Sequence, residues 1–136
     1  SQLPGIRQLR EDERQTQRSY HLYQYRYRAE EFDGLPRARF FEALKAEGVD
    51  TYGGYPQPLY KMPLFQRVGT GPDFCPVSCP YYGREVDYRQ TCCPVAEQVC
   101  REAGWMRQSI LLGTREDMDD IVAAFRKVRD NVGQLL

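Results

Sequence analysis

One histidine, His21, and one tryptophan, Trp105, occur in the 136 residues. A single imidazole rules out the histidine clusters of many metal centres and leaves a serine or cysteine nucleophile only one candidate base. His21 is therefore read as a structural residue with a hydrogen-bond partner. Charge of one sign is also missing: 19 basic and 19 acidic side chains give a formal net charge of zero. Nucleic acid and anionic membrane surfaces call for a basic excess, so neither is expected as a partner. No apolar run approaches the roughly 20 residues of a membrane span, and no signal peptide is visible. Phosphate-binding loops are absent too. Gly69-Thr70-Gly71-Pro72 lacks the lysine and helix that should follow it, and no GxGxxG occurs. Lysine is scarce, with Lys45, Lys61 and Lys127 alone. The first residue is Ser1 rather than methionine, which reads as a fragment or a processed form.

The five cysteines are Cys75, Cys79, Cys92, Cys93 and Cys100. An odd number confined to one third of the chain fits a disulfide framework poorly, and a reducing cytoplasm is the simpler setting. Cys75, Cys79, Cys92 and Cys93 are numerous enough for a tetrahedral zinc site. Their spacing lacks a Cys-x2-Cys knuckle, and Cys100 falls on the apolar stripe of a helix, where cysteine acts as a small hydrophobe. The expectation is no metal. A non-enzymatic or zinc-binding interaction module is the alternative reading.

Tyrosine is abundant, with ten. Four lie in Ser19 to Arg28, which holds no glycine or proline and reads as a strand. Alternation places His21, Tyr23, Tyr25 and Tyr27 on one face. Before it, Ile6 to Leu9 forms a brief strand, and the polar run Arg10 to Arg18 reads as a solvated connection. Asp33-Gly34 turns the chain, Pro36 opens a helix to Glu47, and Gly48 closes it. Val49 to Tyr52 is a short strand. Gln66 to Gln90 shows no sustained period, and a loop of that length tends to be functional. Pro94 starts a helix with an apolar stripe of Val95, Ala96, Val99, Cys100 and Ala103, stopped by Gly104. Trp105 to Leu112 reads as a strand with Ile110-Leu111-Leu112 as its buried end. Thr114 to Asp117 forms a capping box before a long helix whose apolar face runs from Met118 to Leu135. The expected architecture is α+β, a small and largely antiparallel sheet with helices on one face. Residues 1–136 form a single domain with a long irregular loop at 66–90.

The stretch Gly53 to Phe65 organises the chain. Its prolines, Pro56, Pro58 and Pro63, argue against helix and for a stiff extended arm hinged at Gly53-Gly54. The arm displays Tyr55, Tyr60 and Lys61, the residues expected to meet a ligand, and Gln108 after Trp105 is expected to point to the same side.

From Ser19 onward the chain resembles the C-terminal small domain of the DegT/DnrJ/EryC1/StrS aminotransferases. Four ordered blocks carry the resemblance. They are Ser19-Tyr20-His21-Leu22-Tyr23; Leu35-Pro36-Arg37 to Gly48; Tyr55-Pro56-x-Pro58-Leu59-Tyr60-x-x-Pro63-Leu64-Phe65; and Pro94-Val95-Ala96-Glu97 through Trp105, Gly113-Thr114 and Asp117 to Ile121. The family's arm usually carries histidine where this chain has Tyr60, and a phenol does not titrate near neutral pH. The resemblance implies the C-terminal domain of a fold-type I, pyridoxal-phosphate enzyme that aminates a keto-sugar or cyclic ketone. It also implies a large partner domain that holds the cofactor, a sugar or cyclitol substrate and a homodimer. A dehydratase of the same family is the related alternative. The Schiff-base lysine belongs to the large domain, so no catalytic or cofactor-binding residue is expected in this chain and the fragment should be inactive alone. Tyr55, Tyr60, Lys61 and Gln108 become substrate-adjacent candidates. The face that meets the large domain should be left exposed, apolar and prone to self-association.

Overall fold

The structure, a computed structural model, describes residues 3–66 and 86–136. It divides into two compact units, Ser1–Gly54 with Glu102–Leu136, and Tyr55–Arg101.

The first unit is built on a three-stranded antiparallel sheet of β1 (Ile6–Gln8), β2 (Leu22–Tyr27) and β3 (Ala103–Arg107), with β2 in the centre. Register pairs Ile6 with Tyr27 and Gln8 with Tyr25 on one side of β2. On the other side Tyr23 faces Met106 and Tyr25 faces Gly104. Paired residues share a face, so Ile6, Tyr23, Tyr25, Tyr27 and Met106 look the same way. That is the tyrosine face the alternation predicts. It is covered by α1 (Arg37–Ala46) and α4 (Arg115–Asp130), giving the expected α+β arrangement.

The core is aromatic. Tyr27 stacks on Phe40 of α1 at 4.4 Å, and Phe40 meets Phe32 at 5.1 Å and Phe125 of α4 at 5.8 Å. The two buried phenols are hydrogen-bonded, as burial requires. Tyr27 donates to the Leu35 carbonyl at 2.7 Å, and the Tyr25 and Thr51 hydroxyls are hydrogen-bonded to each other at 2.7 Å. Thr51 in turn donates to the Trp105 carbonyl at 3.1 Å.

Burial pushes the Tyr27 hydroxyl up to about 12 and raises that of Tyr25 as well. Both groups stay protonated in the folded chain at a pH where the unfolded chain ionises, near 10. Above that pH the native state therefore holds more protons than the unfolded state. Stability should hold between pH 7 and 9 and fall from about pH 10 upward, by as much as about 1.4 kcal/mol per pH unit for each tyrosine. Urea titrations at pH 9 and pH 11 test this; equal midpoints would mean the phenols are solvated.

Gly104 lies beneath the Tyr25 ring. A β-carbon there would sit 2.3 Å from Tyr25 Cζ. The sequence places this glycine at the end of a helix. The structure puts it inside β3, because the facing ring needs the space. Three further expectations fail nearby. The strand from Trp105 to Leu112 is instead β3, ending at Arg107, followed by a 3-10 turn over Gln108–Leu111. Among the described residues no strand lies beside Ile110 to Leu112 to extend the ladder, and Leu112 is exposed. Val49 to Tyr52 shrinks to one bridge between Tyr52 and Trp105. β2 itself begins at Leu22 rather than Ser19, since its pairing with β3 begins there at Arg107.

Helix ends follow the sequence closely. α1 stops before Gly48, whose φ of +86° is the left-handed geometry glycine adopts freely. The Val49 N–H reaches back to the Leu44 carbonyl at 2.9 Å, closing a Schellman turn. α4 opens on the complete capping box: Asp117 N–H to Thr114 Oγ1 at 3.3 Å and Thr114 N–H to Asp117 Oδ2 at 2.6 Å. Replacing Thr114 with alanine should remove about 1 kcal/mol of stability. The melting temperature should drop by about 3–5 °C, whereas Thr114→Ser should retain most of it. An unchanged melt for Thr114→Ala would show the cap to be dispensable.

The second unit contains a 3-10 turn over Leu59–Lys61, α2 (Pro63–Gln66), a 3-10 turn over Tyr88–Gln90 and α3 (Pro94–Glu102), whose last residue belongs to the first unit. The extended arm is thus corrected to two short helical turns. Pro58 precedes the first and Pro63 begins the second. At such positions the missing N–H has no intrahelical partner to lose, so proline starts a turn rather than breaking one. The phenyl ring of Phe65 meets Tyr88 edge-on at 5.4 Å. Most of the 66–90 loop expectation falls on residues 67–85, outside the described residues, and so do Cys75 and Cys79.

Candidate functional site

In the second unit, Tyr60 and Lys61 converge on Glu97. The 3-10 turn over Leu59–Lys61 points Tyr60 inward, where it is 9% exposed, and leaves Lys61 at the surface. Glu97 lies in the first turn of α3. The Tyr60 hydroxyl donates to Glu97 Oε1, and the Lys61 ammonium approaches the same oxygen at 3.0 Å. The Cys93 N–H, just ahead of α3, donates to the Tyr60 oxygen at 3.3 Å. Arg101, one turn further along, lies 4.0 Å from Glu97 Oε2. The Lys61 ammonium also lies 5.8 Å from the centre of the Tyr60 ring.

The electrostatics agree with this geometry. The Tyr60 hydroxyl first, and the Lys61 ammonium second, hold the Glu97 carboxyl below the ordinary carboxylate range. Glu97 in return pushes both Tyr60 and Lys61 up. A depressed carboxyl keeps its charge as pH falls, and a raised ammonium and phenol keep their protons as pH rises. The cluster therefore holds one charge state through the neutral range. Tyr60, whose hydroxyl already donates its hydrogen bond to Glu97, acts as a strut. Lys61 has three donors and, among the described residues, uses one on Glu97, leaving two for another acceptor.

Of the other candidates, Tyr55 lies in this unit with its ring exposed, and Gln108 lies half-buried in the first unit, in the turn after β3. Sequence alone does not single out Glu97. It belongs to the family-like block at Pro94 to Glu97, but nothing in its spacing links it to Lys61.

The apolar stripe read along α3 is not buried. Val95 is 72% exposed and Val99 48%, and no residue of the helix is fully buried. Tyr55, Leu59 and Leu64 of the same unit are exposed as well. Cys92 and Cys93 are exposed thiols outside any disulfide, and Cys100 is half-buried. Among the described residues no group of three or more His, Cys, Asp or Glu side chains is placed to hold a metal, and no helix is long and apolar enough to cross a membrane.

The family profile described as the DegT/DnrJ/EryC1/StrS aminotransferase family matches residues 1–85. The chain belongs to this family. A protein of Micromonospora echinospora, provisionally named an L-glutamine:3-amino-2,3-dideoxy-scyllo-inosose aminotransferase, is 36% identical over 137 residues, covering 98% of this chain and 32% of the relative. A Streptomyces kanamyceticus protein with the same provisional name is 32% identical over 92% of the chain and 30% of its own length. The L-glutamine:2-deoxy-scyllo-inosose aminotransferase of Streptomyces fradiae is 32% identical over 91% of the chain and 28% of its own length. The chain thus spans about a third of the length of the curated relatives it matches.

Pyridoxal phosphate is held by a lysine that condenses with its aldehyde, which requires a free, deprotonated amine. This chain's lysines do not fit that task. Lys61 is ion-paired and pushed up, Lys127 pairs with Glu47 at 2.7 Å, and Lys45 is exposed on α1. No desolvated amine occurs among them.

Proposed function

We propose that this DegT/DnrJ/EryC1/StrS family chain is the C-terminal part of a pyridoxal-phosphate aminotransferase that moves the amino group of L-glutamine to a keto-cyclitol. The observation that carries the reading is the similarity to the three cyclitol aminotransferases, which runs along nearly the whole of this chain. The cofactor and its lysine lie in the remaining part of the protein, on a large domain. The working enzyme is a homodimer. The lysine chemistry of this chain supports that division, since none of its amines is suited to hold an aldehyde.

Within this reading the Tyr60–Lys61–Glu97 cluster positions substrate. Glu97 fixes the Lys61 ammonium, whose remaining donors hydrogen-bond ring hydroxyls, and Tyr60 fixes Glu97. Tyr55 adds an aromatic face nearby in sequence, and Gln108 is a further polar candidate. A residue that is already ordered loses little entropy when it captures a ligand.

The test is the whole protein, loaded with pyridoxal phosphate and given L-glutamine and 2-deoxy-scyllo-inosose. The expected result is an aminocyclitol formed in step with loss of the α-amino group of glutamine. Consumption of the ketone without any amino donor would instead mark a dehydratase and overturn the proposal.

A further inference from the structure

The connection between β1 and β2, residues 9–21, is far longer than the two to five residues or so that join ordinary antiparallel neighbours. It contributes nothing to the core, yet it is organised. Asp12 accepts from the Arg14 N–H at 3.0 Å and from its guanidinium, and the Gln15 N–H donates to the Asp12 carbonyl at 2.9 Å. Arg18 ties the two limbs together through Gln15 Oε1 at 2.6 Å and the Arg10 carbonyl at 2.7 Å. A cleft of about 490 Å³ lies between this connection and the start of β2. That is within the range of small-molecule sites, roughly 300–1,000 Å³.

The lining has a distinct chemistry. Tyr20 and Tyr23 present rings 5.4 Å apart and tilted by 55°, and the Tyr20 ring is exposed. Gln8, Gln17 and Gln24 supply amides, each able both to donate and to accept. The Glu11 carboxylate lines the cleft and has no ion-pair partner among the described residues. Arg18, the guanidinium in the lining, already donates within the connection. An anion would meet the Glu11 carboxylate, and two of the five Arg18 donors are already engaged within the connection. A wholly apolar ligand would strip water from the amides without replacing their hydrogen bonds. A metal ion would find a single carboxylate, that of Glu11, among the described residues of the lining.

We propose that this cleft is a binding site for a polyhydroxylated ring, a cyclitol or pyranose, stacked on Tyr20 and hydrogen-bonded through its hydroxyls by Glu11, Gln17 and Gln24. Aromatic faces take the C–H faces of such rings, and amides with a carboxylate serve hydroxyls that both donate and accept. The site belongs to the first unit. It does not depend on the reading of the Tyr60 cluster in the second, and its test involves neither cofactor nor turnover.

scyllo-Inositol titrated into the protein, followed by saturation-transfer NMR and backbone shifts, is the experiment. Saturable binding with a dissociation constant on the order of millimolar is expected, as suits an open polar cleft. Shifts should gather at residues 17–24. Tyr20→Ala should weaken binding at least fivefold, while Tyr20→Phe, which keeps the ring, should stay within twofold. Glu11→Gln should weaken it about threefold. Tyr20 is exposed, so thermal melts of the variants should match the parent. No saturable shift, shifts gathered elsewhere, or equal affinity in Tyr20→Ala would each overturn the proposal. Inorganic phosphate that displaces scyllo-inositol would do so as well, by showing the site to be anionic in preference.

Discussion

Replacing Phe40 with alanine is expected to lower the unfolding free energy by about 3–5 kcal/mol. No side chain in the first unit is more thoroughly enclosed: Phe40 has no exposed surface. Its ring stacks on Tyr27 at 4.4 Å and meets Phe32 and Phe125 edge-on. It therefore joins α1, the sheet and α4 at one point. Truncation forfeits the transfer energy of the ring and leaves a void that three rigid aromatic rings cannot collapse to fill. Native stability is typically only about 5–15 kcal/mol, so the variant should melt roughly 10–20 °C lower. Phe40→Leu, which keeps much of the volume, should lose roughly 1–2 kcal/mol. Urea unfolding of the two variants decides the matter. A loss under about 1.5 kcal/mol for the alanine variant would mean that α1 is not held through this ring.

The second large effect is catalytic. In the whole enzyme, Glu97→Ala should reduce kcat/KM by about 10- to 100-fold. The Tyr60 hydroxyl would lose its acceptor, and Lys61 would lose the carboxylate that sets its position at 3.0 Å. Glu97→Gln keeps an acceptor for Tyr60 but removes the charge that holds Lys61, so it should fall between the parent and the alanine variant. The loss should appear mainly in KM if Lys61 grips the ring hydroxyls equally in ground and transition states. The alternative, a cluster that only packs the second unit, predicts a lowered melting temperature with kcat/KM within twofold of the parent.

What sequence reveals about this chain depends on whether the cause is local. The α4 capping box and the glycine stop of α1 were legible because both depend on a few adjacent residues. So was the tyrosine face of β2, since alternation alone assigns it. Strand ends were not legible. Ser19 to His21 have strand composition, but β2 is limited by what lies beside it. Ile110 to Leu112 look like buried strand, yet Ile110 and Leu111 form a half-buried 3-10 turn and Leu112 is exposed, for the same reason. Gly104 has the local look of a helix stop, because its true cause, the ring of Tyr25, lies 79 positions away in the chain. Proline gave a further lesson. Pro58 and Pro63 argue against helix by composition, yet proline opposes a helix only from inside it. In the candidate site, Tyr60 and Lys61 were visible as the polar residues of an apolar stretch. Glu97 was not, because the contact that gives it meaning crosses between elements. The stripe on α3 shows that periodicity reports an apolar face without reporting what covers it.

The central strand also sets an order of assembly. β2 is flanked by β1, made earlier, and by β3, made only after the whole Tyr55–Arg101 unit. During synthesis the ribosome would release β2 and α1 well before β3 and α4 exist to cover their aromatic faces. Until then β2 has one open edge, of the kind that invites pairing with another chain. The nascent chain would thus spend the translation of the inserted unit in an aggregation-prone state, closed only when Ala103–Arg107 completes the ladder.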